Sequence, residues 1–364
     1  MTNFARNLVG GEVDDFDERS SFEALELLRG SEDDMLGALH FVCDAFDTLM
    51  EEVRGRFRSV VGDRKILVVD SAFQLPSQNM ALRLSRLQYA GLPNIAAYLK
   101  DRLFHGLVPE NVTAFMQQFV GSQVQLIHRD VRDGLCDVDD YDGIIFGGSP
   151  ASVSLSGSEK VVAGGMSHSE IYDVLSWFQG LAMESGLPVL GVCYGSHVLT
   201  KLHGGRVGKL DNARLRMDRI QTEEGRLILS EFLGSDIDAH GEAYVAHADA
   251  SLEFGSGSKA IAMVQDEGVD VVQAAIHVDS KEGVFTGDHV VDLALLKKVM
   301  ADGGYAGLGL QAHFELTFPH LLLESVTAGL PPEQYGMIVD RMNFTRQILG
   351  VIAGFFAKHK NFAD

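Results

Sequence analysis

The sequence predicts an α/β fold, a mostly parallel open sheet with flanking helices, preceded by a helical N-terminal extension. Three observations carry this. Short apolar runs of the kind buried on both faces (KILVVD, DGIIFGG, PVLGV) recur along the chain. Stretches of helical periodicity separate them, which implies parallel strands joined by right-handed crossovers. A hydrophobic share of 46% over 364 residues allows a sizeable core and excludes a disordered chain.

Residues 1–64 stand apart: they hold 15 acidic and 7 basic residues, a net of −8, and no proline. From Ser21 to Val60 apolar residues recur at three and four (Leu25, Leu28; Met35, Leu36, Leu39; Val42, Phe46, Leu49, Val53). This spacing predicts two amphipathic helices broken near Gly30-Ser31, with Ser31 as N-cap of the second. Two readings stand: a helical hairpin packed on its own domain, or an acidic docking element for a basic partner.

At Lys65 the texture changes, and residues 65–358 read as the second domain. KILVVD is its first strand. A mostly helical stretch runs from about Ser77 to Phe119, followed by a strand at Val124 to Arg129. About fifty residues separate these strands, well above a minimal crossover, so an insertion is expected at about 77–120. DGIIFGG is a strand ending in Gly147-Gly148, Ser169 to Glu184 a helix, and PVLGV a fourth strand. Beyond Gly205 come alternating strands (ARLRMDRIQ, EAYVAHAD, KAIAMVQD, VDVVQAAIHV), then a second insertion at about 279–304 with a helix near Val291 to Met300. The apolar run YAGLGLQAHFE and a helix from about Glu333 to Lys358 close the chain. The Gly/Ser-rich segment Ser154 to His168 is a candidate mobile loop.

Charge narrows the function. A formal net charge of −21 repels phosphate backbones, so no nucleic-acid partner is expected. No run reaches the ~18 apolar residues of a membrane span, and the first residues lack the apolar core of a secretory signal. Cys43, Cys136 and Cys193 are too scattered for a disulfide framework, which suits a reducing, cytoplasmic setting. No metal-ligand spacing and no cofactor motif stands out.

The chemistry concentrates in PVLGVCYGSHVL. A buried strand runs through Gly191 and Cys193 to Gly195 and directly into a helix. Small residues two before and two after Cys193 allow a sharp strand-to-helix turn, a nucleophile elbow that lifts the thiol above the sheet's carboxyl edge. It also stands at a helix start, whose partial positive charge favours an anion. A nucleophilic thiol needs a base and an orienting acceptor. In GLGLQAHFE, His313 follows a short apolar strand and Glu315 lies two residues on, the same face at a strand end, where it can fix the imidazole tautomer. In DGIIFGGSPASV, Gly147 and Gly148 let backbone N–H groups approach an oxyanion together with the N–H of Tyr194.

In this order the three elements resemble the class I glutamine amidotransferase family: a Gly-Gly-Pro loop (Gly147, Gly148, Pro150), a G-x-C-x-G elbow with a later Gly-Gly (Gly191, Cys193, Gly195, Gly204-Gly205), and a Q-x-H-x-E run (Gln311, His313, Glu315). VAHAD, with His247 and Asp249, resembles the family's S-H-x-D stretch. The resemblance covers roughly residues 65–355. It implies hydrolysis of the glutamine side-chain amide through a γ-glutamyl thioester on Cys193, with His313 as base and acid and Glu315 as orienter. Gly147, Gly148 and Tyr194 would form the oxyanion hole. His197, Pro150, His247, Asp249 and Gln311 would lie at the substrate, and ammonia would pass to a synthase subunit on another polypeptide.

Four positions depart from the family pattern. His197 stands where the family usually has Gln, and Ser149 intervenes before Pro150. Phe314 replaces a proline, and the connection Asp279 to Gly304 is long. Two alternatives keep the fold: a γ-glutamyl hydrolase or acyltransferase with the same triad, and a non-catalytic partner or regulatory subunit.

Overall fold

The computed structural model describes residues 32–71, 85, 88, 91–104, 112–120, 124–126, 138–163, 165–219, 222–238, 241–266, 269–279, 291–314 and 333–360. The first expected helix, the far end of the strand beyond residue 126, Cys136 and Glu315 lie outside these residues. Helices α1 (Glu32–Val61), α2 (Pro93–Phe104) and α3 (Val112–Val120) are interleaved with β1 (Ile66–Asp70) and β2 (Val124–Leu126). Then follow β3 (Gly143–Phe146), the short pair β4 (Val161–Ala163) and β5 (Met166–Ser167), α4 (His168–Ser185), β6 (Pro188–Val192) and α5 (Tyr194–Leu202). The second half holds β7 (Arg206–Arg219), α6 (Glu223–Leu233), β8 (Glu242–Glu253), β9 (Ser258–Asp266) and β10 (Val269–Asp279). It ends with α7 (Leu293–Ala301), β11 (Tyr305–Leu310) and α8 (Glu333–Lys358).

The main sheet has the order β2-β1-β3-β6-β11-β10-β9. From β2 to β11 all neighbours are parallel, while β10 and β9 add antiparallel strands at one edge. Strands buried on both faces need apolar residues at every position, and period 2 splits them between two cores. Ile66 and Val68 of β1, with Ile145, Leu190, Leu308 and Leu310, face the core roofed by α1, α2, α3, α6, α7 and α8. Leu67, Val69, Ile144, Phe146 and Val189 face the core under α4 and α5. β7 and β8 pair with each other as a separate antiparallel ribbon, joined to the chain after β11 by a bridge from Val245 to Ala312.

Local chemistry explains the ends of elements. The S-x-x-E sequence at Ser167 and Glu170 forms a reciprocal capping box at the start of α4, and Gly186 closes that helix at φ 67°, a left-handed cap that suits glycine. Arg64 donates to the carbonyls of Ala357 and His359, both at 3.0 Å, so the chain entering β1 secures the end of α8. Glu32, the first residue of α1, accepts from the backbone N–H of Asn94 at 2.6 Å and so caps α2.

Two findings differ from the sequence reading. α6 occupies a stretch where only strands were expected. Thr222 caps it by accepting from Gly225 N–H at 2.9 Å, and Ile228, Leu229, Phe232 and Leu233 are buried at helical spacing. The segment Ser154 to His168, expected as a mobile loop, holds the end of a 3-10 turn (Val153–Leu155) and the pair β4/β5. Within α1, the apolar stripe fills the chain's own interior. Leu39, Cys43, Leu49, Val53 and Phe57 belong to the core, and Phe57 meets Phe119 edge-on at 5.3 Å. No described helix is long and apolar enough to cross a membrane.

Candidate active site

Cys193 sits between β6 and α5 with φ 52° and ψ −107°, a conformation L-residues rarely adopt. Its neighbours show why glycine is required on both sides. A Cβ on Gly191 would lie 2.6 Å from the backbone of Gly195, and one on Gly195 would lie 2.7 Å from the carbonyl oxygen of Phe146. Neither backbone can yield, so the chain turns from strand to helix only with hydrogen in both places. The turn is that of an elbow.

β6 and β11 are parallel neighbours with Val192 opposite Leu310. That register sets Cys193 beside Gln311 and brings His313 in two residues later. The backbone N–H of Cys193 donates to Leu310 O at 2.8 Å, and Gln311 Nε2 donates to Cys193 O at 3.4 Å. β3, on the other side of β6, ends in the glycine loop. A Cβ on Gly148 would lie 3.8 Å from Cys193 Cβ and 3.9 Å from His313 Cε1. Thiol, imidazole and glycine loop therefore meet at the carboxyl edge of three adjacent parallel strands, where open α/β sheets bind ligands.

The remaining candidates fall into different places. Gly147 spends its N–H on Val69 O at 3.3 Å, continuing the sheet, so it is not a spare donor for an oxyanion. Gly148 accepts from Ser71 Oγ at 3.1 Å through its carbonyl. Tyr194 opens α5, where first-turn amides lack partners within the helix. Its ring is buried in the core under α4, and burial pushes the phenol well above its ordinary pKa. Pro150 is exposed, one residue past the inserted Ser149, whose Oγ accepts from Ala151 N–H at 3.1 Å and tightens the turn.

His197 and Gln311 are both buried, and Gln311 Nε2 donates to His197 Nε2 at 3.0 Å. The bond requires a neutral imidazole with its proton on Nδ1. Burial, and then nearby His247, lower the His197 pKa to about 3, Asp249 acting in the opposite direction. His247 donates from Nδ1 to Asp249 O at 2.7 Å, and its ring lies 6.1 Å from that of His197. Expected at the substrate, Asp249 is instead 5% exposed and engaged with the serines of the glycine loop, Ser152 and Ser154. Those serines, with His168 and Ser71, were not singled out from the sequence. The serine-rich run PASVSLS was the available signal, and it reads as an ordinary loop.

No family model matches the chain. It is 28% identical over 130 residues to the glutamine-hydrolysing GMP synthase of Aquifex aeolicus, covering 36% of this chain and 21% of that protein. It is 31% identical over 123 residues to the GMP synthase of Staphylococcus aureus, covering 33% of this chain and 19% of that protein. The chain thus spans about a fifth of the length of these relatives. Over the matched third of the chain, the similarity is thus to glutamine-hydrolysing GMP synthases. A solved glutamine amidotransferase from Thermotoga maritima superimposes with a TM-score of 0.42 at 11% identity, covering 69% of this chain and 92% of that one.

Proposed function

We propose that the protein hydrolyses the side-chain amide of glutamine with Cys193 as nucleophile. The observation that carries this reading is the meeting of Cys193, His313 and Gly148 at one sheet edge, with Cys193 on a strained elbow of the kind that clusters at functional sites. In the proposed reaction Cys193 Sγ yields its proton to His313 and attacks the amide carbon, and the oxyanion that forms accepts hydrogen bonds from the N–H groups of Gly148 and Tyr194. His313 passes a proton to the departing nitrogen as the C–N bond breaks, which leaves a γ-glutamyl thioester and ammonia. Water activated by the same imidazole then releases glutamate and restores the thiol. Glu315 is proposed to orient His313.

The relatives' printed name couples glutamine hydrolysis to GMP synthesis, and that supports an ammonia-accepting synthase partner here. The acidic residues 1–64 are a proposed surface for that partner, and within their described part Asp44, Glu51 and Glu52 are exposed on α1. The test is ammonia release from glutamine by the purified chain, alone and with candidate acceptor proteins. Release that disappears in Cys193→Ala supports the reading. Release that persists in the variant rejects the thiol as nucleophile, and hydrolysis only of γ-glutamyl peptides favours the hydrolase alternative.

A further inference from the structure

Asp249 lies on β8, in the ribbon outside the main sheet, yet its carboxylate binds the glycine loop at four points. Ser152 Oγ lies 2.9 and 2.8 Å from its two oxygens, Ser154 Oγ donates at 2.9 Å, and Ser154 N–H donates at 3.2 Å. On the other side of the loop, Ser152 N–H donates to His168 Nδ1 at 2.9 Å, a ring set by the first residue of α4. A buried carboxylate is costly unless hydrogen-bonded, and bonds to an ionised acceptor are shorter and stronger than neutral ones. The loop between Gly148 and Val153 is thereby pinned at its far end from two elements, while Ser71 holds its near end through Gly148 O at 3.1 Å.

We propose that Asp249 is a positioning residue that holds the Gly148 amide toward Cys193, acting through Ser152 and Ser154 and not through contact with substrate. The oxyanion role it would serve rests on the proposed amidotransferase reading; the clamp itself does not. Ala151 and Val153 anchor one side of this loop on the core under α4, and these hydrogen bonds fix its polar side, which faces β8. Because β8 pairs with β7 and bridges to Ala312, the same strand fastens both the loop and the segment carrying His313. The arrangement couples two halves of the site through one ribbon.

The experiment uses the full chain and three variants: Asp249→Asn, Ser152→Ala/Ser154→Ala, and all three changes together. Amide hydrogen exchange is followed in the peptide spanning 147–155, with ammonia release and iodoacetamide alkylation of Cys193 measured alongside. The expected result is at least tenfold faster exchange at Ser154 and its neighbours in every variant. A drop of at least tenfold in kcat with KM within about twofold is expected, with alkylation of Cys193 little changed. The triple variant should be no worse than the serine pair, since all three groups act as one clamp. Unchanged exchange in Asp249→Asn, or a raised KM with kcat intact, would overturn the proposal. If exchange rises while the wild type releases no ammonia from glutamine, the clamp stands and the glutaminase reading falls.

Discussion

The backbone amide of Cys193 donates to the carbonyl of Leu310 at 2.8 Å, so the elbow is fastened to the strand that leads to His313. The proposed nucleophile and base come from residues 120 apart in sequence, yet their spacing depends on one parallel strand pair. A thiol on a strained turn keeps its direction only if both of its peptide groups are held, and Leu310 and Gln311 hold them.

The first expectation concerns that strain. Cys193→Ala retains φ near 52° and should remove catalysis while changing stability by less than ~1 kcal/mol. Cys193→Gly releases the backbone and should be more stable than Cys193→Ala by about 1–2 kcal/mol. Urea denaturation of both variants checks this; equal midpoints would show that the turn stores no strain.

The elbow glycines should tolerate nothing larger. Gly195→Ala would force a methyl to 2.7 Å from Phe146 O, and Gly191→Ala one to 2.6 Å from Gly195. A loss of about 1–3 kcal/mol is expected for each, with activity falling although Cys193 is intact. Thermal melting together with ammonia release reads both effects, and a fully active Gly195→Ala variant would contradict the geometry.

His197 should behave as a structural acceptor. His197→Gln offers Gln311 an amide oxygen in place of the imidazole nitrogen and should keep most activity. His197→Leu leaves a buried donor without that acceptor and should cost about 1–3 kcal/mol. A large rise in KM for glutamine in both variants, without loss of stability, would instead assign His197 to the substrate pocket.

Acid should weaken the fold through buried neutral histidines. Burial lowers His203 to about 4 and His277 well below its ordinary value, and the two rings stack at 5.0 Å, with His203 also on Tyr305 at 5.2 Å. The facing groups are Ser258, bonded to His277 Nδ1, and Gln179, bonded to the Tyr305 hydroxyl, neither of them charged. A folded pKa below the unfolded value of about 6.5 means that the unfolded chain binds the proton first. The stabilisation is therefore complete above pH 6.5 and is lost as pH falls toward 4. Melting temperature should drop across that interval, and His203→Asn should flatten the drop.

Much of the parallel sheet was legible because strands buried on both faces leave continuous apolar runs: KILVVD, GIIF and PVLGV each became a strand. Elbow and imidazole were legible because glycine and cysteine there have few other uses. What escaped was tertiary in origin. α6 carries glycine at Gly225, where a Cβ would lie 1.8 Å from Ile261 O, so close packing on β9 replaced a better helix former. Asp249 reads as a site residue in sequence because nothing local shows that two serines nearly a hundred residues earlier will consume its carboxylate.

Covalent labelling by an electrophilic glutamine analogue, located by peptide mass mapping, tests the central claim most directly. The expected result is one adduct on the peptide containing Cys193, blocked by excess glutamine and absent from Cys193→Ala. Labelling mainly at Cys43 or Cys136, or labelling of Cys193 that glutamine does not slow, would contradict a glutamine-specific nucleophile at this elbow.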